Sequence, residues 1–96
     1  MTTSILVTAK AQRDAVRLAA FIASGRPTAA RRARATILSA IQSLDRFSER
    51  GAPAGRPPDG LRELFAPFGR AGYVIQYVVD ADQVTVLRIF HSLEER

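Results

Sequence analysis

Apolar and polar residues alternate with two different periods along this chain, and the change of period divides it into a helical first half and a stranded second half. Residues 4–8, SILVT, form a β-branched run that predicts a short buried strand. Between residues 11 and 24 the apolar positions Ala15, Leu18, Ala19 and Ile22 recur at three- and four-residue spacing. That spacing gives one stripe of a helix, with Val16 and Phe21 at its borders. Gly25 is placed to stop this helix, and Pro27 to start the next, since a first helical position needs no backbone N–H. A second stripe runs through Ala33, Ile37, Ile41 and Leu44, while Arg31, Arg32 and Arg34 load the first turns of that helix with positive charge. The junction between the two helices is short enough to demand an antiparallel hairpin.

Glycine and proline at Gly51, Pro53, Gly55, Pro57, Pro58 and Gly60 then predict a loop without regular structure. From Leu61 the period becomes two: LRELFA, YVIQYVV (73–79) and QVTVLRIFH (83–91) read as three strands, with turns at 69–72 and at Asp80-Ala81-Asp82. Strict alternation in the last strand places Val84, Val86, Arg88 and Phe90 on one face and Thr85, Leu87, Ile89 and His91 on the other. The order is β-α-α-β-β-β. It predicts an α+β fold, an antiparallel twisted sheet with an N-terminal helical hairpin packed on one face, as a single domain over 1–96.

Composition narrows the chemistry. With 47% hydrophobic and 24% charged residues the chain has the balance of an ordinary globular domain. Its 96 residues bury so small a fraction of their surface that a tightly bound partner would contribute visibly to stability. There is no cysteine, which removes disulfides, thiolate zinc sites and a cysteine nucleophile, and makes the cytoplasm the expected compartment. The opening MTTSILVTAKAQR has no secretion-signal pattern, and no apolar run approaches the roughly 18 residues of a bilayer span, so no membrane association is expected. The net charge is +5, and 13 of the 14 basic residues are arginine. Arginine forks suit carboxylate or phosphate partners; a genome that encodes arginine wherever a basic surface residue will do accounts for the bias equally well.

The second helix PTAARRARATILSAIQSL, the LREL strand after a Gly/Pro loop, the GYVIQY strand and the closing VTVLRIFH, in this order, resemble the RelE/ParE toxin superfamily over nearly the whole chain, and the ParE branch more than the RelE branch. The resemblance implies the toxin of a type II toxin–antitoxin pair, held in a hetero-oligomer by a cognate antitoxin and, for ParE-like members, inhibiting growth by binding DNA gyrase. The alternative it implies is a RelE-like ribosome-dependent mRNA endonuclease, and a third reading is an inactive antitoxin-binding member. RelE-like enzymes need a proton acceptor, a proton donor and cations around the phosphorane. Val74 stands where such enzymes carry an arginine, a residue that many ParE-like members also have there, and Glu94 and Glu95 stand where a further basic group is expected.

If the protein is a nuclease, Arg62, Arg88 and His91 are the candidate catalytic residues; as a binding protein it has none. For antitoxin or target contact the candidates are Arg31, Arg34, Arg62, Arg70, Arg88 and His91. Arg62, Arg70 and Arg88 could form a positive patch on the sheet, or Arg88 could pair with Glu63 across it. His91, the only histidine, reads first as a strand-end residue hydrogen-bonded at the core margin, and Tyr73 and Tyr77 read as core. Asp80 and Asp82 read as turn residues, so neither a metal nor any other cofactor is expected.

Overall fold

The computed structural model describes residues 3–23 and 26–96. In chain order the elements are β1 (Ser4–Val7), α1 (Ala9–Ala23), α2 (Pro27–Ser43), β2 (Ala52–Pro53), β3 (Arg62–Phe68), β4 (Ala71–Asp80) and β5 (Gln83–His91). Thr8 caps α1: its hydroxyl accepts from the Ala11 N–H at 3.1 Å, so the helix begins two residues earlier than its apolar stripe predicts. The predicted stop at Gly25 lies outside the described residues. Pro27 opens α2 as expected, and Ala30, Ala33, Ile37 and Ile41 form its buried stripe. No helix is long and apolar enough to cross a membrane among the described residues.

The five strands form one sheet in the order β1-β5-β4-β3-β2. The helical hairpin packs on one face, and Ala11, Leu18, Ala33, Ile37, Ile41 and Leu44 meet Leu64, Tyr73, Ile75, Tyr77, Val84, Val86 and Ile89 there. This is the predicted α+β architecture with three changes. The sheet is mixed, not wholly antiparallel, because β1 runs parallel to β5 with Ile5 opposite Val84 and Val7 opposite Val86. A parallel partner needs a long crossover, and the helical hairpin is part of it. The Gly/Pro loop is not free of regular structure: Ala52 and Pro53 pair with Glu63 and Arg62 as a two-residue edge strand, where a proline that cannot donate is tolerated.

The third change reorients the last strand. Gln76 lies opposite Arg88 but Tyr77 lies opposite Val86, so β5 carries one extra residue, Leu87, at a bulge. Alternation therefore restarts there. Val84 and Val86 face the helices, and so do Ile89 and His91, whereas Arg88 and Phe90 turn to the other side of the sheet. Strict period-two reading grouped Arg88 and Phe90 with the two valines, which is incorrect because a bulge inverts every side chain beyond it.

Candidate functional site

Parallel pairing with β1 satisfies the outer edge of β5 only as far as Val86. Beyond it, side chains take the place of a strand. Thr8 Oγ1 donates to the Leu87 carbonyl at 3.1 Å, Asp14 Oδ2 accepts from the Ile89 N–H at 2.9 Å, and Arg17 Nη2 donates to the Ile89 carbonyl at 3.3 Å. Glu94 Oε1 accepts from the His91 N–H at 2.7 Å. Helix α1 is thereby fastened along an edge that would otherwise expose unpaired backbone groups.

Asp14 is the centre of this seam. It is 4% exposed and lies on the helix stripe between Ala11 and Leu18, a spacing that would have marked it in the sequence as a polar residue at a core position. Burial alone would raise its pKa, but hydrogen bonds from Arg88 (2.7 and 3.1 Å), the Ile89 N–H and Arg17 (3.2 Å) outweigh this and hold the carboxyl below its ordinary value. Arg88 also lies over the Phe90 ring, 4.5 Å from its centroid. Its partner is therefore Asp14 of α1, and the alternative cross-sheet pair with Glu63 does not form. Glu63 instead accepts from Arg56, Gln76 and Arg96, and the Arg96 contact above all lowers its pKa to about 2.

A groove of about 710 Å³ opens beside this seam, lined by Arg17, Leu18, Phe21, Ile22, Phe68, Tyr73, His91, Leu93 and Glu94. Phe21 and Leu93 stand at its mouth 88% and 83% exposed. What sets these two apart from other exposed apolar side chains is that they border one apolar groove, the kind of patch at which ligands or partners bind. Arg17 and Glu94 form an ion pair of 2.8 Å at one side. His91 lies in the groove wall with its ring edge-on to Tyr73, centroids 5.8 Å apart, and its Nδ1 accepts from the Leu93 N–H at 3.2 Å.

The structure disperses the other residues singled out in the sequence. Arg62 donates to the Glu49 and Gly51 carbonyls at 3.2 and 2.7 Å and so anchors the loop after α2. Arg70 is exposed in the β3–β4 turn, and Arg31 and Arg34 are exposed on α2. Arg62, Arg70 and Arg88 do not come together in a patch: Arg62 and Arg88 lie on β3 and β5, and Arg70 is at the β3–β4 turn. Phe21, Phe68, Leu93 and the Asp14–Arg17–Glu94 chain are groove and seam residues that period analysis does not bring together, because they become neighbours only when the helix docks on the strand edge. Among the described residues no group of three side chains is arranged to hold a metal ion.

A helical hairpin docked on a five-stranded mixed sheet, with an apolar groove at the strand edge, defines a small α+β domain. The sequence matches the ParE toxin of type II toxin–antitoxin systems (parDE) over residues 5–96, and the chain belongs to that family. It is similar to two curated toxins of Caulobacter vibrioides: Toxin RelE3, 41% identical over 91% of each chain, and Toxin RelE1, 38% identical over the full length of both. Among solved structures it is similar to the chromosomal ParDE system from P. aeruginosa, with a TM-score of 0.75, 22% identity and 94% and 96% of the two chains covered. It also resembles the RelBE2 toxin–antitoxin complex from Mycobacterium tuberculosis, with a TM-score of 0.68, 24% identity and 95% and 99% covered. These two likenesses show the fold.

Proposed function

We propose that this toxin arrests growth by binding DNA gyrase, without chemistry of its own, and that its antitoxin silences it by seating an apolar segment in the groove around Phe21 and Leu93. The observation that carries the binding reading is the separation of the candidate catalytic groups. Arg62 lies opposite Tyr77 and His91 opposite Tyr73. Those positions are four residues apart along β4, about 13 Å. Arg88 is on the other side of the sheet, held by Asp14. Phosphoryl transfer to a 2′-oxygen needs acid, base and cation around one phosphate, within hydrogen-bond reach of the reacting atoms. Each of these three side chains is instead committed to a structural contact.

The groove supports the antitoxin half of the reading. It is mostly apolar, with Arg17 and Glu94 already paired at one side, so an incoming segment with apolar anchors fits it. A second reading, ribosome-dependent mRNA cleavage, is favoured by one observation, the RelE names of the two curated relatives. Induced expression of the chain without its antitoxin separates the readings. Gyrase poisoning gives growth arrest with a DNA-damage response, intact mRNA, and cleaved DNA accumulating when purified gyrase and toxin are mixed. Codon-positioned mRNA cleavage on ribosomes, lost in Arg88→Ala or His91→Ala protein that still folds, would overturn it. Absence of arrest would make the chain an inactive member.

A further inference from the structure

Charge is divided unevenly between the two halves of the fold. Residues 9–44, the helical hairpin, contain seven cations and a single carboxylate, Asp14, which is buried and already bound by Arg17 and Arg88. The remainder of the chain contains seven cations and eight carboxylates. The hairpin therefore carries +6 and the remainder −1, which together give the net charge of +5. Arg17 is occupied by Asp14 and Glu94. The other six, Lys10, Arg13, Arg26, Arg31, Arg32 and Arg34, are exposed and take part in no ion pair among the described residues, whereas four of the seven cations outside the hairpin, Arg56, Arg62, Arg88 and Arg96, are paired.

The placement of Arg31, Arg32 and Arg34 is unfavourable for the isolated helix. They lie together in the second turn of α2, just beyond a first turn that holds no acidic residue and an N-terminus that no side chain caps. Arg31 and Arg34, three residues apart on the helix surface, repel each other, and the three cations together raise the local positive potential. An anion near this end gains from the guanidinium groups and from the helix terminus together. None of the six lines the apolar groove, so antitoxin in the groove and an anion on the hairpin would occupy different surfaces.

We propose that the outward side of the helical hairpin, centred on Arg31, Arg32 and Arg34, binds the phosphate backbone of duplex DNA. A duplex carries one negative charge per about 1.7 Å, and α2 concentrates Arg31, Arg32 and Arg34 within a single turn, about 4.5 Å of helix rise, so the cluster meets two or three neighbouring phosphates. Arginine forks hold phosphate oxygens bidentately and retain their charge at any physiological pH. The choice of DNA among polyanions rests on the gyrase reading above, in which the target is met on its DNA; the surface would then add affinity for gyrase already engaged on a duplex.

The test is fluorescence anisotropy of a labelled 20-bp duplex with the purified full chain at several salt concentrations. It is repeated with Arg31→Gln/Arg32→Gln/Arg34→Gln, with the charge-matched control Arg46→Gln/Arg56→Gln/Arg70→Gln, and with the lysine version of the hairpin triple. The hairpin triple is expected to bind at least about tenfold more weakly, with a log–log salt slope smaller by about 3, while the control loses less and the lysine version keeps most of the affinity. Circular dichroism and capture by the antitoxin confirm folding of each variant. Equal losses in the two glutamine triples would overturn the proposal in favour of net charge alone. Absent binding in moderate salt, or tighter binding of an RNA of the same sequence or of polyglutamate, would overturn it too. Growth arrest and gyrase cleavage are scored separately, so failure of the DNA surface and failure of the gyrase reading are distinguishable.

Discussion

Asp14 shows how one polar side chain on an apolar stripe can organise a fold. Its carboxylate takes hydrogen bonds from Arg88, Arg17 and the Ile89 N–H, and it joins helix to strand more than seventy residues away in sequence. Replacing it with Asn keeps the shape but removes the charge and puts an NH₂ where one of these donors requires an acceptor. Asp14→Asn is expected to destabilise the protein by about 2–3 kcal/mol, since a partly buried arginine loses its counter-ion and a buried N–H its acceptor. Urea unfolding monitored by circular dichroism measures this; a change below about 0.5 kcal/mol would show that the seam contributes little. Tyr77 has a comparable local duty, because its hydroxyl oxygen accepts from the Gly51 N–H at 2.8 Å and a Cβ at Gly51 would lie 2.7 Å from that oxygen.

At the scale of elements, two carboxylate clusters fix what the strands alone leave loose. Glu94 attaches residues 92–96 to α1 through Arg17, and Glu63 gathers Arg56, Gln76 and Arg96 from the loop, β4 and the closing segment. The pKa of Glu63 falls from its ordinary 4.5 to about 2. A carboxylate with a depressed folded pKa binds fewer protons folded than unfolded, so its contribution is full above pH 4.5 and is lost as the pH falls from 4.5 towards 2. Two of its three partners are partly exposed and screened by water, which leaves a contribution of about 2 kcal/mol. The expected result is a decline of stability across that window, shallower in Arg96→Ala, together with an upward shift of the Glu63 carboxyl titration in that variant by NMR. An unchanged Glu63 titration in Arg96→Ala would remove Arg96 as its cause.

For the whole molecule, the groove at the strand edge is the feature that a second chain would complete. Phe21 contributes almost nothing to the internal core, being 88% exposed, so Phe21→Glu should leave the thermal midpoint of the isolated protein within about 2 °C of the parent. The same change should weaken antitoxin capture at least about a hundredfold if Phe21 is a buried anchor in the complex. Antitoxin added to the parent protein should raise the midpoint in a concentration-dependent way, as expected for any ligand that binds only the folded state, and this rise should vanish in the variant. Isothermal titration and differential scanning calorimetry on the two proteins decide it; undiminished affinity in Phe21→Glu would place the antitoxin elsewhere.

Periodicity in the sequence determined the helical hairpin, the three long strands and the hydrophobic core, because each stripe or alternation records which side of an element must leave water. Proline at the start of α2 and the places of the two hairpin turns were likewise readable, since their backbone requirements are local, although Ala71, Gly72 and Asp80, read as turn residues, belong to β4. The direction of β1, the two-residue pairing of Ala52 and Pro53, and the inversion beyond Leu87 were decided by the tertiary structure. Each depends on which strand edge becomes available, and a bulge leaves no mark in the alternation that precedes it. The scatter of Arg62, Arg70 and Arg88, and the meeting of Asp14, Arg17 and Glu94 with the groove beside them, were decided there as well, because charge in a sequence has a sign and a position but acquires a partner only when distant segments are brought into contact.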